Sequence, residues 1–337
     1  MPRSRYVANS SGTDLQHPRR SLGNRHRSQA EKFLALVDSS QENATKNLSW
    51  AEQSARQAVL HDFTHEENWR LLATIKQLIG DEEGLRAVLE DLFSVLGRDP
   101  ELLSQLADVD MLEHGFQLLS ATLAADPLDP EYWIKLVNDD YLSDLKERFF
   151  QLDLSDPRAN VLFGRRLERI RSIDEELFII LVRRLLAHRP FNHEAWIELG
   201  RLHESRNEYD DAWHCYDQAQ IHFPQLSPRD KFRERMEKRL DAKSSPWAAP
   251  DADGRSLFLK KMENLALKVS SPEQINEIQL SDAEIEGSSH EDNLVKLLEN
   301  MEYSSAFFLA RRLVTSGESW AEEYLIQAQE KLRDPTP

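Results

Sequence analysis

The sequence predicts an all-α protein, and three observations support this fold class. Apolar residues recur at intervals of three and four along several segments, which is the spacing of one helix face and not of a strand. No segment shows the regular alternation of apolar and polar residues that a half-buried strand requires. Glycine is scarce, at 11 of 337 residues, or about 3% against a usual level of roughly 7%. Turn-rich β proteins and nucleotide enzymes with glycine loops use more glycine than this.

The predicted helices follow one another along the chain. In residues 85–96 the apolar positions are separated by 3, 1, 3 and 4 residues, and in residues 109–123 by 3, 4, 3 and 4. Residues 173–185 show the same helical spacing. Breaks that contain proline, such as residues 97–100 and 126–130, separate helices of roughly 10–17 residues. Helices joined by such short breaks are expected to pack as antiparallel hairpins.

The composition excludes several classes of protein. The chain carries 42 Lys and Arg against 59 Asp and Glu, a formal charge of −17, which argues against a generally basic surface for nucleic acid or anionic membranes. A single cysteine, Cys215, excludes an intrachain disulfide and a cysteine-only metal cage, and it favours a reducing compartment. The longest strongly apolar run, Leu177–Val182, has six residues, whereas a membrane span needs about 20. We therefore expect a cytoplasmic protein with no membrane partner.

The N-terminal arm, residues 1–27, differs from the rest of the chain. It contains hardly any large apolar residue, so we expect it to be disordered. Residues 1–30 contain six arginines and one acidic residue, Asp14, which leaves a charge of +5. Three alternatives are open for the arm. In the first, the arm is a tether without a binding role. In the second, it contacts RNA or an acidic partner through its arginines. In the third, it contacts the acidic stretch 270–293 of the same chain.

An aromatic anchor recurs at a nearly fixed period. Three tryptophans lie 64 and 63 residues apart, each early in a predicted helix: Trp69, Trp133 and Trp196. Six residues before each tryptophan lies a loop residue that anchors the turn: Phe63, Pro127 and Pro190. A fixed period with an aromatic anchor is typical of stacked supersecondary units.

Residues 193–226 carry the clearest copy of this unit. Seven residues stand at the spacing of a known repeat family: Trp196, Leu199, Gly200, Ala212, Tyr216, Ala219 and Pro224. In this pattern the segment resembles a tetratricopeptide repeat. Gly200 and Ala212 are small where two helices would cross, so the backbones can approach closely. The resemblance implies a hairpin of two helices; the units around Trp69 and Trp133 match the family less well.

The resemblance and the period together predict the domain organisation. Residues 28–242 are expected to form an α-solenoid of about five or six antiparallel helical hairpins. Its last helix, within residues 229–241, would close the array with a narrow apolar stripe of Phe232, Met236 and Leu240. Residues 243–293 are expected to be a linker with a short helix at about 257–268 and an acidic stretch. Residues 294–333 are expected to form a further helical hairpin that resembles a repeat.

Candidate catalytic and metal-binding residues are few. His61 and His65 stand four residues apart, a spacing that can hold a metal on one helical turn, but they fall at a predicted helix junction without a third ligand nearby. Cys215 follows His214, yet adjacent helical residues point about 100° apart. The thiol is expected to pack as a small apolar group. We expect His203 to fill an aromatic position of the repeat, and we expect no catalytic residue, no cofactor and no metal.

The family resemblance implies a partner-binding surface. In tetratricopeptide proteins the first helices of successive units line a concave face that holds a peptide. The positions that would face this groove are Glu194, Ile197, Glu198, Arg201 and Glu204 in the best unit, with Lys135 and Asn138 in the preceding one. Family members that grip a terminal carboxylate use lysines and asparagines here, whereas this chain offers two glutamates. A basic or mixed peptide fits better; the alternative is that these residues are solvated helix faces.

The expected function is that of a non-catalytic scaffold or adaptor that binds a segment of a partner protein on the concave face. The alternative is an RNA-associated scaffold that uses the basic N-terminal arm. This alternative follows from a second resemblance, to the half-tetratricopeptide repeats of RNA-processing scaffolds, which also place aromatic residues on paired helices.

Overall fold

The computed structural model describes residues 19–39, 43–98, 109–136, 145–146, 148–154, 156–238, 247–267 and 290–333. Within these ranges all regular secondary structure is helical and no strand occurs. The all-α prediction is therefore confirmed. Over the same ranges, no helix combines the length and the apolar character that crossing a membrane requires.

The chain divides into two compact units. Unit 1 lies within Met1–Tyr141 and Leu152–Arg169, and unit 2 within Leu142–Gln151 and Ile170–Pro337. The helices assigned to unit 1 are α1 (Arg20–Ser39), α2 (Ala44–His61), α3 (Glu66–Ile79), α4 (Glu82–Val95), α5 (Met111–Ala125), α6 (Pro130–Leu136) and α7 (Pro157–Ile170), whose last residue belongs to unit 2. The helices of unit 2 are α8 (Glu175–His188), α9 (His193–Ser205), α10 (Tyr209–His222), α11 (Pro228–Lys238), α12 (Ala252–Ala266), α13 (His290–Glu299), α14 (Tyr303–Thr315) and α15 (Ala321–Arg333).

Acidic and amide side chains set where many of these helices begin. The carboxylate of Asp81 accepts a hydrogen bond from the backbone N–H of Gly84 at 2.8 Å, and Asp174 does the same for Leu177 at 2.9 Å. Such a cap satisfies one of the backbone donors that the first turn leaves without a partner. The same arrangement begins α5, α9 and α12, at Asp110, Asn192 and Asp251.

Unit 1 is built of successive helices that pack side by side, as in an α-solenoid of antiparallel hairpins. The pair α1 and α2 shares the most extensive contact. Fully buried alanines, Ala30 on α1 with Ala51 and Ala55 on α2, line this pair, and their small side chains allow the two backbones to approach closely. Larger side chains such as Trp69 and Leu89 complete the core on α3 and α4.

The disorder predicted for residues 1–27 is wrong for Arg20–Arg27, which form the first turns of α1. Gly23 packs so closely on α2 that an added Cβ would lie 2.8 Å from the Cβ of Asp62. The ring of His26 stacks on that of His61, with centroids 5.1 Å apart. Composition misses this contact because the face that α1 buries here is small and polar. Residues 1–18 lie outside the described part of the chain.

Unit 2 contains the hairpin that the sequence marks most clearly, α9 and α10. Trp196, Leu199 and Gly200 lie on α9, and Ala212, Tyr216 and Ala219 lie on α10, all of them buried. A Cβ added to Gly200 would lie 2.8 Å from the ring of Tyr216. The absence of a side chain at Gly200 therefore permits the close crossing of the two helices.

The periodic tryptophans share a hydrogen bond that the sequence does not reveal. The indole N–H of Trp69 donates to the carbonyl oxygen of Phe63 at 2.7 Å, and that of Trp196 donates to the carbonyl oxygen of Pro190 at 3.0 Å. In both units the indole thus fixes the turn six residues before it. This equivalence supports a repeat-like helical architecture.

The third tryptophan, Trp133, lies beside an arginine. The carbonyl oxygen of Pro127, six residues earlier, accepts a hydrogen bond from Nη2 of Arg166 at 2.7 Å. The guanidinium of Arg166 also lies 5.2 Å from the ring centroid of Trp133. An arginine of α7 therefore contacts both the turn and the tryptophan of this copy.

Helix α11 has the one-sided character predicted for the end of the array. Phe232 and Met236 are buried against α10, while Leu240 lies outside the described residues. Within the part of the predicted linker that the structure describes, Trp247 packs on Phe232 with ring centroids 5.3 Å apart, and its indole N–H donates to Asp210 at 2.8 Å. The prediction of a short helix at 257–268 is wrong at its start. Capped by Asp251, α12 begins at Ala252.

The C-terminal helices of unit 2 pack on α8 and on the hairpin of α9 and α10. Helix α12 contacts α8 and α14, and α14 also contacts α8. Phe258 of α12 stacks on His214 of α10, with ring centroids 4.7 Å apart and planes at 9°. Arg311 of α14 is bonded to Gln218 of α10. One face of these hairpins is therefore covered by the chain itself.

Candidate functional site

The partner-binding residues predicted in the best unit lie along α9. Glu194, Glu198 and Arg201 are exposed, while Trp196 and Leu199 point into the core. Positions three and four apart share one side of a helix, and Glu198 and Arg201 form an ion pair there. The structure thus brings these three charged side chains together on one open strip, which we call the α9 strip (Glu194, Glu198 and Arg201).

The two other predicted residues of α9 are engaged within the protein. Ile197 packs against the buried cluster that contains Tyr216 and Phe232. The carboxylate of Glu204 accepts hydrogen bonds from the hydroxyl of Tyr216 at 3.0 Å and from Nη2 of Arg235 at 2.6 Å. Burial first, and then the charge of Glu204, raise the pKa of Tyr216, so its hydroxyl stays a donor. Ile197 and Glu204 therefore hold α11 in place and are less accessible to a partner than the α9 strip.

The sequence also predicts two binding residues in the preceding repeat, Lys135 and Asn138. Lys135 is exposed on α6 of unit 1, and its ammonium lies 4.9 Å from the ring centroid of Tyr132. Asn138 lies outside the described residues. The α9 strip belongs to unit 2, whereas Lys135 belongs to unit 1.

Sequence reasoning missed a buried ionic cluster at the centre of unit 2. Asp217 of α10 is 1% exposed and lies near three guanidinium groups from three other helices: Arg229 at 2.7 Å, Arg255 at 3.5 Å and Arg311 at 3.9 Å. Burial lowers the pKa of Arg311 to about 10, and the charge of Asp217 opposes that shift. The cluster joins α10 to α11, α12 and α14. Its members are up to 94 residues apart in sequence, so no local pattern indicates it.

The histidines considered as metal ligands have other contacts. His61 stacks on His26, and Nδ1 of His65 accepts a hydrogen bond from the backbone N–H of Glu67 at the start of α3. Nε2 of His65 lies 3.0 Å from Nη1 of Arg27. Over the ranges that the structure describes, no group of three or more histidine, cysteine, aspartate or glutamate residues is arranged to hold a metal ion.

Cys215 on α10 and His203 on α9 are also buried. Cys215 is buried, and burial raises the pKa of its thiol to about 12. A thiol with such a pKa is protonated at neutral pH and is a poor nucleophile. Nδ1 of His203 lies 2.6 Å from a carboxylate oxygen of Glu208, but burial lowers the pKa of His203 in spite of this partner.

The buried imidazole of His222 is expected to make the free energy of unfolding depend on pH. Burial against aromatic rings, then the charges of Arg311 and Arg333, lower the pKa of His222 from 6.5 to about 3. Since the unfolded chain binds the proton more readily, the free energy of unfolding should fall as the pH drops below about 6.5, by up to about 1.4 kcal/mol per pH unit from this residue. Above that range this contribution is constant. Urea unfolding between about pH 7 and about pH 4 measures the slope.

Two variants isolate this contribution from those of other titrating groups. His222→Phe should show a smaller loss of stability on acidification than the unmodified protein. His290→Gln changes an exposed histidine and should leave the slope unchanged. Equal slopes for His222→Phe and the unmodified protein would contradict the assignment.

Comparisons with known proteins do not identify the chain by similarity. No family model matches it, and no curated protein matches it.

Proposed function

We propose that this protein is a non-catalytic scaffold, similar to tetratricopeptide proteins, that binds a segment of a partner protein along the α9 strip. The proposal rests above all on the exposure of this strip beside a hairpin whose other face is covered by the chain's own helices. The seven residues of the repeat pattern in 193–226 support the resemblance, because six lie buried on α9 and α10 and Pro224 stands two residues after the end of α10. We place the protein in the cytoplasm.

The charges of the strip favour one class of partner. Arg201 is already paired with Glu198, whereas Glu194, at the beginning of α9, forms no ion pair with any residue in the described part of the chain. Complementary charges select partners and speed their association more than they add affinity. A segment that is basic, or basic with some acidic residues, therefore fits the strip better than an acidic segment or a terminal carboxylate.

Selection from a displayed peptide library tests this proposal. The full chain is expected to enrich peptides with lysine and arginine, whereas a Glu194→Lys/Glu198→Lys variant should lose that preference. The matched control is Glu234→Lys/Glu237→Lys, which makes the same charge change at exposed positions of α11 and should behave like the unmodified protein. An enriched set that does not change in the α9 variant would disprove the partner site.

A second candidate function, an RNA-associated scaffold, gains support from the basic residues near the N-terminus. Arg20 and Arg27 belong to a packed helix, and Arg25 is exposed on it. Removing residues 1–27 would truncate α1 and disturb unit 1, so that deletion does not test the arm. Removing residues 1–18 leaves α1 intact and is the appropriate variant.

A further inference from the structure

A cleft lies between α1 and α2 of unit 1. Its volume is about 360 Å³. The side chains that matter for its chemistry are those of His26, Gln29 and Phe33 from α1 and those of Trp50, Gln53 and Gln57 from α2. They lie at helical spacing on the facing sides of the two helices. The packing of α1 on α2 does not require these aromatic and amide side chains, because buried alanines already form the close contact between the two helices.

Aromatic surface is unusually open at this cleft. Trp50 is 42% exposed, whereas Trp69 and Trp196 are fully buried. The ring of Phe33 lies 5.3 Å from that of Trp50, with the planes tilted by 48°. An indole with this much exposed surface, held between Phe33 and the mobile side chain of an exposed lysine, Lys46, is a platform on which a flat ring can stack.

The polar groups of the cleft are amides. Gln29, Gln53 and Gln57 each present an amide oxygen as acceptor and an amide N–H₂ as donor. No acidic residue is among the described residues that line the cleft. Paired donors and acceptors of this kind match the edges of nucleobases, which carry both.

Positive charge lies at one end of the cleft, next to Trp50. The ammonium of Lys46 is 5.0 Å from the ring centroid of Trp50, and Lys46 is exposed. Helices α1 and α2 run antiparallel, so the contact between His26 and His61 marks the opposite end. There, Arg25 is exposed beside His26, and it contributes to the lowered pKa of that imidazole after burial and His61.

Further arginines gather around the loop that follows His61. The buried carboxylate of Asp62 lies 3.7 Å from Nε of Arg20. Arg165 donates to the hydroxyl of Thr64 at 3.2 Å. Burial is the main cause that lowers the pKa of Arg165; the charge of Asp62 opposes this shift and the charge of Arg20 adds to it. Arg27 lies 3.7 Å from a carboxylate oxygen of Glu31 and contacts His65. Arg20 and Arg165 thus share the buried carboxylate of Asp62, while Arg27 is paired with Glu31, so these five groups carry one more positive than negative charge in a chain of net charge −17.

We propose that the α1–α2 cleft binds single-stranded nucleic acid, with a base stacked on Trp50 and backbone phosphates beside Lys46 and the arginines at the other end. Arginine and lysine side chains hold phosphates, aromatic faces hold unpaired bases, and the amides contact base edges. An acidic peptide would match the charges but would leave the indole face and the glutamine amides without partners. The site lies in unit 1 and does not rest on the partner site proposed at the α9 strip.

Fluorescence anisotropy with the full chain tests the proposal. The probes are a short labelled oligouridylate, the corresponding oligothymidylate and a DNA duplex of the same length. We expect both single strands to bind at low salt, the duplex to bind more weakly, and the affinity to fall as salt rises. The two single strands distinguish a preference for RNA from one for DNA.

Matched variants test the assignment of the residues. Trp50→Ala should weaken binding of the single strands about tenfold, whereas Trp320→Ala, which removes a tryptophan of similar exposure (38%), should not. Gln53→Leu removes an exposed amide while keeping the size of the side chain, and it should also weaken binding. Arg25→Glu/Lys46→Glu should lower the slope of log affinity against log salt by about 2, while Lys261→Glu should leave it unchanged. Circular dichroism verifies that each variant is folded.

Several outcomes would overturn the proposal. These are the absence of binding at low salt, equal affinities for Trp50→Ala and Trp320→Ala, and displacement of oligouridylate by polyglutamate as effectively as by unlabelled oligouridylate. Removal of residues 1–18 separates the cleft from the arm. Binding that persists in that variant and still depends on Trp50 supports the cleft, whereas binding that is lost there and is indifferent to Trp50 assigns it to the arm instead.

Discussion

Replacement of Trp196 with alanine is expected to lower the free energy of unfolding of unit 2 by about 3–5 kcal/mol. The side chain is fully buried, so its loss removes a large apolar contact and leaves a cavity between α9 and its neighbours. The variant also leaves the carbonyl oxygen of Pro190 without its indole donor, which adds the cost of an unsatisfied polar group. Urea unfolding followed by circular dichroism measures the change.

Three further variants make this test specific. Trp196→Phe retains an aromatic ring but loses the hydrogen bond, so it should lie between the unmodified protein and Trp196→Ala. Trp69→Ala should destabilise unit 1 to a similar extent, because Trp69 is fully buried and makes the equivalent bond to Phe63. Trp320→Ala, at an exposed position, should have little effect. A Trp196→Ala variant as stable as Trp320→Ala would contradict the described packing.

Replacement of Asp217 with alanine is expected to destabilise unit 2 by about 3–5 kcal/mol. The carboxylate is 1% exposed and is the shared counter-charge of Arg229, Arg255 and Arg311. Without it, Arg311, whose side chain is 8% exposed, loses the counter-charge that Asp217 supplies, and it is repelled by Arg229 and Arg255, which are 31% and 32% exposed. Breaking a buried ionic cluster by removing one member leaves uncompensated charge, which costs more than the cluster contributes as a whole. Urea unfolding again provides the measurement.

Two comparison variants separate the effect of losing the charge of Asp217 from the effect of losing its side-chain volume. Asp217→Asn keeps the size of the side chain and removes the charge, so it should be nearly as destabilising as Asp217→Ala. Glu237→Gln breaks an ion pair with Arg233 in which both side chains are exposed, and such pairs contribute little. If Asp217→Asn were as stable as Glu237→Gln, the ionic cluster would not hold α10, α11, α12 and α14 together.

The hairpin of α9 and α10 was accessible to sequence reasoning because its determinants are local. The apolar residues recur at helical spacing, Asn192 caps α9, and Gly200 lies opposite Tyr216 within one hairpin. The exposure of Glu194, Glu198 and Arg201 follows from the same period. The engagement of Glu204 by Arg235, 31 residues away, could not be predicted, since it depends on where α11 packs.

At the start of α1, by contrast, the sequence-based prediction of disorder was wrong. A count of large apolar residues correctly reports that 20–27 has little to bury, but packing here uses the absence of side-chain bulk at Gly23 and a stacked pair of imidazoles. The cleft beside Trp50 was equally hidden, because its residues come from two helices whose pairing had to be known first.

The sequence by itself determined the helical class, the period of the tryptophans and the most regular hairpin, because these depend on side chains within a few turns of one another. Only the tertiary structure decided which helix faces are covered. Arg184 bonds to the carbonyl of Leu267 across 83 residues, and Arg311 bonds to Gln218 across 93. Such contacts depend on complementary surfaces that the chain creates only when distant helices meet, and periodicity shows that a face is apolar or charged without showing what packs against it.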